Sequence, residues 1–170
     1  MDDKFIDGFF YSPTSGSLSL EGMMAELSGY MTASPEKIFE ITVGCDSPSS
    51  DEPFFPLAVV ALKKGEGGRF FLKKIRYSPF EKRFYNWRQR ILEEVYLSCE
   101  FALLLRERLS QAPELKAINY DFRYIHADIG EQGKTKEMVK EVTGFITANG
   151  FEPKIKPYSY AASVVADRYT

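Results

Sequence analysis

Ala117-Ile-Asn-Tyr-Asp-Phe-Arg-Tyr-Ile-His-Ala-Asp-Ile-Gly130 sets Ile118, Tyr120, Phe122 and Tyr124 against Asn119, Asp121 and Arg123. A period of two marks a strand with one buried face, over residues 117–125. Its place in the chain matters as much as its pattern. Upstream, residues 78–110 carry no Gly or further Pro after Ser78-Pro79, and Phe84, Ile91, Leu92, Val95, Cys99, Ala102 and Leu103 fall on one helical stripe. A strand that follows a long helix returns to the sheet by a crossover and lies parallel to an earlier strand.

Working outward, residues 37–45 are rich in β-branched and aromatic side chains and stop in the polar turn Asp46-Ser-Pro-Ser-Ser-Asp-Glu-Pro53. Strands over 57–64 and 69–76 flank Gly65-Glu-Gly-Gly68, whose glycines suit a tight hairpin. Downstream, Met138, Val139, Val142, Phe145 and Ile146 make an amphipathic helix that Asn149-Gly150 ends. A short strand at 151–156 follows, and Ser159 offers an N-cap to a last helix at 160–168. The first 35 residues read as a loop and a short helix, 20–30, packed on the domain that fills 36–170. The expectation is an α/β fold: a mixed five-stranded sheet, made of a three-strand antiparallel meander plus two strands parallel to the first, flanked by helices.

The chain has 170 residues, enough for one domain with its own core. Its 22 Lys+Arg and 24 Asp+Glu give a net charge of −2, which excludes a wholesale polycation but not a local basic strip. Hydrophobic residues at 44% and charged residues at 27% exclude a disordered or fibrous chain. Cys45 and Cys99 belong to no metal-spacing pattern, and no apolar run suits a signal peptide or a membrane span. A soluble cytoplasmic protein, with no membrane partner and no separate targeting domain, is expected.

Asp46 and Asp128 end the first and fourth expected strands, which in a mixed sheet can lie side by side and bring both acids to one carboxyl edge. Clustered carboxylates call for a cation between them, and hard oxygen donors suit Mg²⁺ or Mn²⁺. On a helical wheel Glu94 lies nearer the buried stripe than Glu93 or Glu100, and is the helix acid expected to join them. Asp167 lies in the last helix. Each of these acids, taken singly, also reads as an ordinary solvated side chain.

Val43-Gly-Cys-Asp-Ser47, Tyr124-Ile-His-Ala-Asp-Ile-Gly130 with Gly133-Lys-Thr-Lys-Glu-Met138, and Lys156-Pro-Tyr-Ser-Tyr-Ala-Ala-Ser163 leading to Ala166-Asp-Arg-Tyr-Thr170 resemble the YkuK-type family of ribonuclease-H-like bacterial proteins. The resemblance covers the chain from about residue 37 onward and implies a ribonuclease-H-like fold. Carried across, it implies that Asp46, Glu94, Asp128 and Asp167 are catalytic metal ligands. Asp46 would bridge two cations, and the others would hold one each. The implied activity is two-metal hydrolysis of phosphodiesters in RNA, RNA/DNA hybrid or structured DNA, a nuclease that uses no protein nucleophile. The alternative is a non-catalytic nucleic-acid-binding or protein-interaction module that keeps the fold. Convergence of the four acids on one cation-sized site is the geometric condition for catalysis.

Three other features bear on partners. His126, the single histidine, shares a strand face with Asp128 and is a candidate auxiliary group for moving protons or placing water, or else a hydrogen-bonded strand-end residue. Gly130-Glu-Gln-Gly-Lys-Thr135 has two residues between its glycines where a P-loop needs four, so it does not read as a nucleotide triphosphatase. Lys134, Thr135 and Lys136 can still hold a phosphate. Lys82-Arg-Phe-Tyr-Asn-Trp-Arg-Gln-Arg90 interleaves cations with aromatics, making Lys82, Arg83, Trp87, Arg88 and Arg90 candidates for nucleic-acid contact, or simply the charged outer face of a helix.

Overall fold

The computed structural model describes residues 3–50 and 52–170; Met1 and Asp2 of the expected N-terminal segment and Asp51 of the expected polar turn lie outside them. In chain order the elements are β1 (Phe10–Ser12), β2 (Gly16–Leu18), α1 (Leu20–Thr32), β3 (Ile38–Cys45), β4 (Phe54–Lys63), β5 (Gly67–Arg76), α2 (Trp87–Ser110), β6 (Asn119–Ala127), α3 (Val139–Ala148) and β7 (Glu152–Lys154). A π-helical segment, Ala161–Ala166, and a 3-10 turn, Asp167–Tyr169, close the chain.

One mixed sheet runs in the order β2-β1-β5-β4-β3-β6-β7. β3, β4 and β5 form the antiparallel meander, while β6 lies parallel to β3 and β7 parallel to β6. The sheet therefore has seven strands where five were expected. The two extra strands are a hairpin inside the first 35 residues, and β1 joins the meander only at Tyr11 against Leu72. Three-residue strands are too short to show alternation, and Ser12-Pro-Thr-Ser-Gly16 reads as loop.

Alternation along the long strands sorts the two faces. Phe39, Ile41, Val43 and Cys45 of β3, with Leu57, Val59 and Ala61 of β4, face the main core, which α2 covers with Ile91, Val95, Leu97 and Phe101. Each such fully buried side chain contributes about 1.5–3 kcal/mol. The opposite face carries a smaller cluster in which Ala58 and Leu72 meet Ala166, with Phe70 and Tyr169 alongside. Tyr169 also stacks obliquely on Tyr11, so the hairpin touches the end of the chain.

Gly44 explains how the C-terminal segment lies so close. A Cβ built there would stand 2.6 Å from the Ala162 nitrogen and 2.8 Å from the Ala161 carbonyl carbon. Glycine opposite alanine lets backbone pack directly on sheet.

α2 starts later than its stripe suggests. Asn86 caps it by accepting the Gln89 N–H at 3.0 Å. Residues 77–86 are thus a loop, and Phe84 reaches the core from that loop by packing on Phe55 and Tyr77. Leu103, counted on the buried stripe, is 42% exposed.

Candidate functional site

β3 and β6 pair in parallel, with Cys45 opposite Ala127, so the next residues, Asp46 and Asp128, leave the sheet at one carboxyl edge. α2 lies across one face and brings Glu94; the C-terminal segment lies across the other and brings Asp167. Asp46, Glu94 and Asp128 line one cavity of about 160 Å³, together with Ser47, Arg90 and Lys156. Asp167 is not among the lining residues, but it lies near enough to Asp46 to help raise that carboxyl's pKa.

Burial pushes the Asp46 carboxyl up to about 7; the Ser47 N–H pulls against this, and Asp128 and Asp167 push further. Glu94 is raised well above the ordinary range, first by burial and then by the charges of Asp46 and Asp128. Ser47 donates its hydroxyl to Glu94 Oε1 at 2.5 Å and offsets part of that. Lys156 pairs with Asp128 at 3.2 Å, and the same Asp128 Oδ1 is buried without an aligned hydrogen bond. The Lys156–Asp128 contact is therefore an ion pair that leaves an acceptor unused.

The raised Asp46 pKa has a defined sign. Its folded value, about 7, lies above the 3.8 of an unperturbed carboxyl, so its contribution to stability is full below about pH 3.8 and is lost as pH rises through 7. In chelator, the stability advantage of Asp46→Asn over the parent should therefore grow by about 2–3 kcal/mol between pH 5 and pH 7 and level off by pH 8. Paired thermal melts across that range check this, and parallel pH profiles would contradict it.

Glu93, the neighbour of Glu94, is engaged elsewhere: it accepts from the Tyr77 hydroxyl and from Lys82. His126 lies on the sheet face that carries the C-terminal segment and does not line the cavity. Its Nδ1 accepts the Ala161 N–H at 3.1 Å, its Nε2 is buried without a partner, and its ring stands edge-on to Tyr160. Burial lowers its pKa to about 3, so it stays neutral and serves as the cap expected of Ser159. The Ser159 hydroxyl instead meets Ser163. Alternation placed His126 on the face of Asp128, but β6 ends at Ala127, so the two side chains part.

Among the expected phosphate contacts, Arg90, Trp87, Lys134 and Thr135 reach the cavity wall. Arg90 donates to the Pro48 carbonyl at 3.0 Å and to the Ser49 hydroxyl at 3.3 Å. The Thr135 hydroxyl accepts the Gly130 N–H at 3.1 Å. Lys82 is committed to Glu93, Arg88 to Glu137, and Arg83 donates to the Pro79 carbonyl at 3.1 Å. Lys136 is exposed and away from the cavity. Ser47 and Lys156 were not expected in the site. Lys156 stands in a quoted C-terminal block, but only the approach of that loop to Asp128 reveals its partner.

In its chemistry the donor set fits a hard divalent cation: all donors are carboxylate oxygens, one lysine pairs with one of them, and Asp128 Oδ1 is left without a hydrogen bond. Among the described residues, however, no three His, Cys, Asp or Glu side chains form a ready-made metal-holding group. Of the four acids, Asp46, Glu94 and Asp128 share one pocket and Asp167 does not line it, so the convergence expected of all four is seen for three. Also among the described residues, no helix is long and apolar enough to cross a membrane.

Comparison with known proteins agrees with the architecture. A protein of Bacillus subtilis (strain 168) described as "Uncharacterized protein YkuK" is 29% identical over 178 residues, covering 100% of this chain and 99% of the relative. No solved structure matches. The Ribonuclease H-like family profile matches residues 22–170, which take in the meander, both parallel strands and all four acids. With a mixed sheet of that topology and that span of matching sequence, the chain belongs to the Ribonuclease H-like family.

Proposed function

We propose that the protein is a divalent-cation-dependent phosphodiester hydrolase acting on nucleic acid. The observation that carries this reading is the gathering of Asp46, Glu94 and Asp128 around one cavity, with Asp167 near enough to act on Asp46. Asp46, Asp128, Glu94 and Asp167 would hold Mg²⁺ or Mn²⁺. When bound, such a cation activates water and stabilises the charge that develops on the phosphate. Asp46, whose pKa is raised to about 7, would bind a cation as the carboxylate, and Ser47 holds Glu94 in orientation. Lys156 and Lys134 set positive charge at the rim where a phosphodiester approaches.

A second reading, a binding module without catalysis, is favoured by one specific observation: Lys156 already faces Asp128 and supplies positive charge where a cation would sit. The deciding experiment strips the protein with chelator and restores Mg²⁺ or Mn²⁺ before offering RNA, RNA/DNA hybrid and branched DNA. Calorimetry follows cation uptake on the same samples. Cleavage that requires the cation supports the hydrolase; binding of nucleic acid with no cleavage in either metal decides for the module.

A further inference from the structure

Three cavities adjoin along the rim of this edge. The carboxylate cavity shares Ser49, Trp87, Arg90 and Lys134 with a second of about 330 Å³. The second shares Phe84 and Tyr85 with a third of about 540 Å³, formed by the loop before α2. Shared walls make them one trough, leading from that loop past the start of α2 to Asp46 and Asp128.

Its lining is chemically mixed in a particular way. Tyr85 is 76% exposed and lies where the second and third cavities meet. Trp87, half-buried with Arg88 and Lys134 over its ring at 5.0 and 5.3 Å, lies where the first and second meet and offers a base a place only as Lys134 turns to the adjoining phosphate. Phe84 is pinned from behind by Phe55 and Tyr77, so the loop that presents Tyr85 is anchored. Arg83, Arg90 and Lys134 distribute positive charge along the same path, and the Arg90 Nε is buried without a partner. Rings that face a cavity can stack only on bases whose faces are free, and in a duplex those faces are covered by neighbouring pairs. Cations spaced between rings match the phosphates that join successive bases.

We infer that this trough binds a single-stranded stretch of nucleic acid, its bases on Tyr85 and Trp87 and its phosphates against Arg83, Arg90 and Lys134, and leads that strand to the carboxylates. Delivery to the carboxylates rests on the hydrolase reading; binding in the trough does not.

The test uses the full chain in chelator, so that no cleavage intervenes, with labelled oligo(dT) and oligo(U) strands and a blunt duplex of equal length. Trp87 is the single tryptophan and reports directly on stacking at its position. Single strands should quench it saturably and bind at least about tenfold tighter than the duplex. The logarithmic salt slope should be about −2, from roughly three phosphates at about 0.7 each. Tyr85→Ala should weaken binding about tenfold, and Tyr85→Phe should stay within about twofold, because the ring and not the hydroxyl carries the contact. Duplex binding as tight as single-strand binding, or unchanged binding in Tyr85→Ala, would overturn the inference. Cation-dependent cleavage of duplex or hybrid without single-strand preference would remove the trough and keep the hydrolase. Tight single-strand binding with no cleavage in Mg²⁺ or Mn²⁺ would do the reverse.

Discussion

Asp46→Asn is expected to lower cation-dependent cleavage by at least about 10³-fold while leaving the protein folded, a loss of about 4 kcal/mol of transition-state stabilisation. Of the four acids, Asp46 is the one coupled to all the others: it feels Asp128 and Asp167 directly, and its charge raises Glu94. Asparagine keeps the size, so what disappears is the charge and a ligand oxygen. Burial makes the Asp46 carboxylate costly in the metal-free protein, so the variant should melt no lower than the parent at neutral pH. Initial rates on the best substrate, beside thermal melts of both proteins, measure the two halves together. Activity within about tenfold of the parent would remove Asp46 from the chemistry.

The largest expected stability effect is at a residue with no functional group. Gly44→Ala should cost about 2–4 kcal/mol, because the new methyl would meet backbone atoms of Ala161 and Ala162, which no rotamer change can move aside. Gly144→Ala in α3 is the control. Nothing lies within 4 Å of a Cβ there, so the better helix former should be neutral or stabilising by up to about 1 kcal/mol. Denaturant unfolding of the two variants compares them, and equal stability would show that the C-terminal segment yields easily. Gly44→Ala should also depress cleavage, since Asp167 follows directly on the displaced segment.

The meander and the parallel return were readable because their signals are local and repetitive. β3 and β4 are dense in β-branched and aromatic residues, and β6 alternates cleanly. Asp46 and Asp128 were readable for a related reason: once two strands are assigned and made parallel, their ends coincide. Glu94 is favoured over Glu93 only by a helical wheel whose stripe includes Phe84 and Leu103; both glutamates are buried, and what separates them is contact, Glu94 with Ser47 and Glu93 with Tyr77 and Lys82. What escaped depends on contacts between distant segments. The β1–β2 hairpin is held by its neighbours rather than by its own pattern. The start of α2 is set by one cap, Asn86, so the Lys82–Tyr85 stretch lies outside the helix it seemed to begin. Lys156 meets Asp128 only because the chain returns there after β7. The close seat of Ala161 and Ala162 depends on a glycine in another strand, which no alanine pattern announces.

His126, buried and neutral, holds the first N–H of the C-terminal segment, and Gly44 leaves that segment one seat on the sheet. At its far end Ala166 packs on Ala58 and Leu72 beside Phe70 and Tyr169, and the segment, lying outside the sheet ladder, should open locally before the strands separate. Amide hydrogens of Ala161 and Ala162 would then exchange through brief excursions that leave β3 and β4 protected. During each excursion Asp46 loses its neighbour Asp167 and meets solvent. The surroundings of the acidic edge are thereby tied to the seating of a single alanine-rich segment on the far face of the sheet.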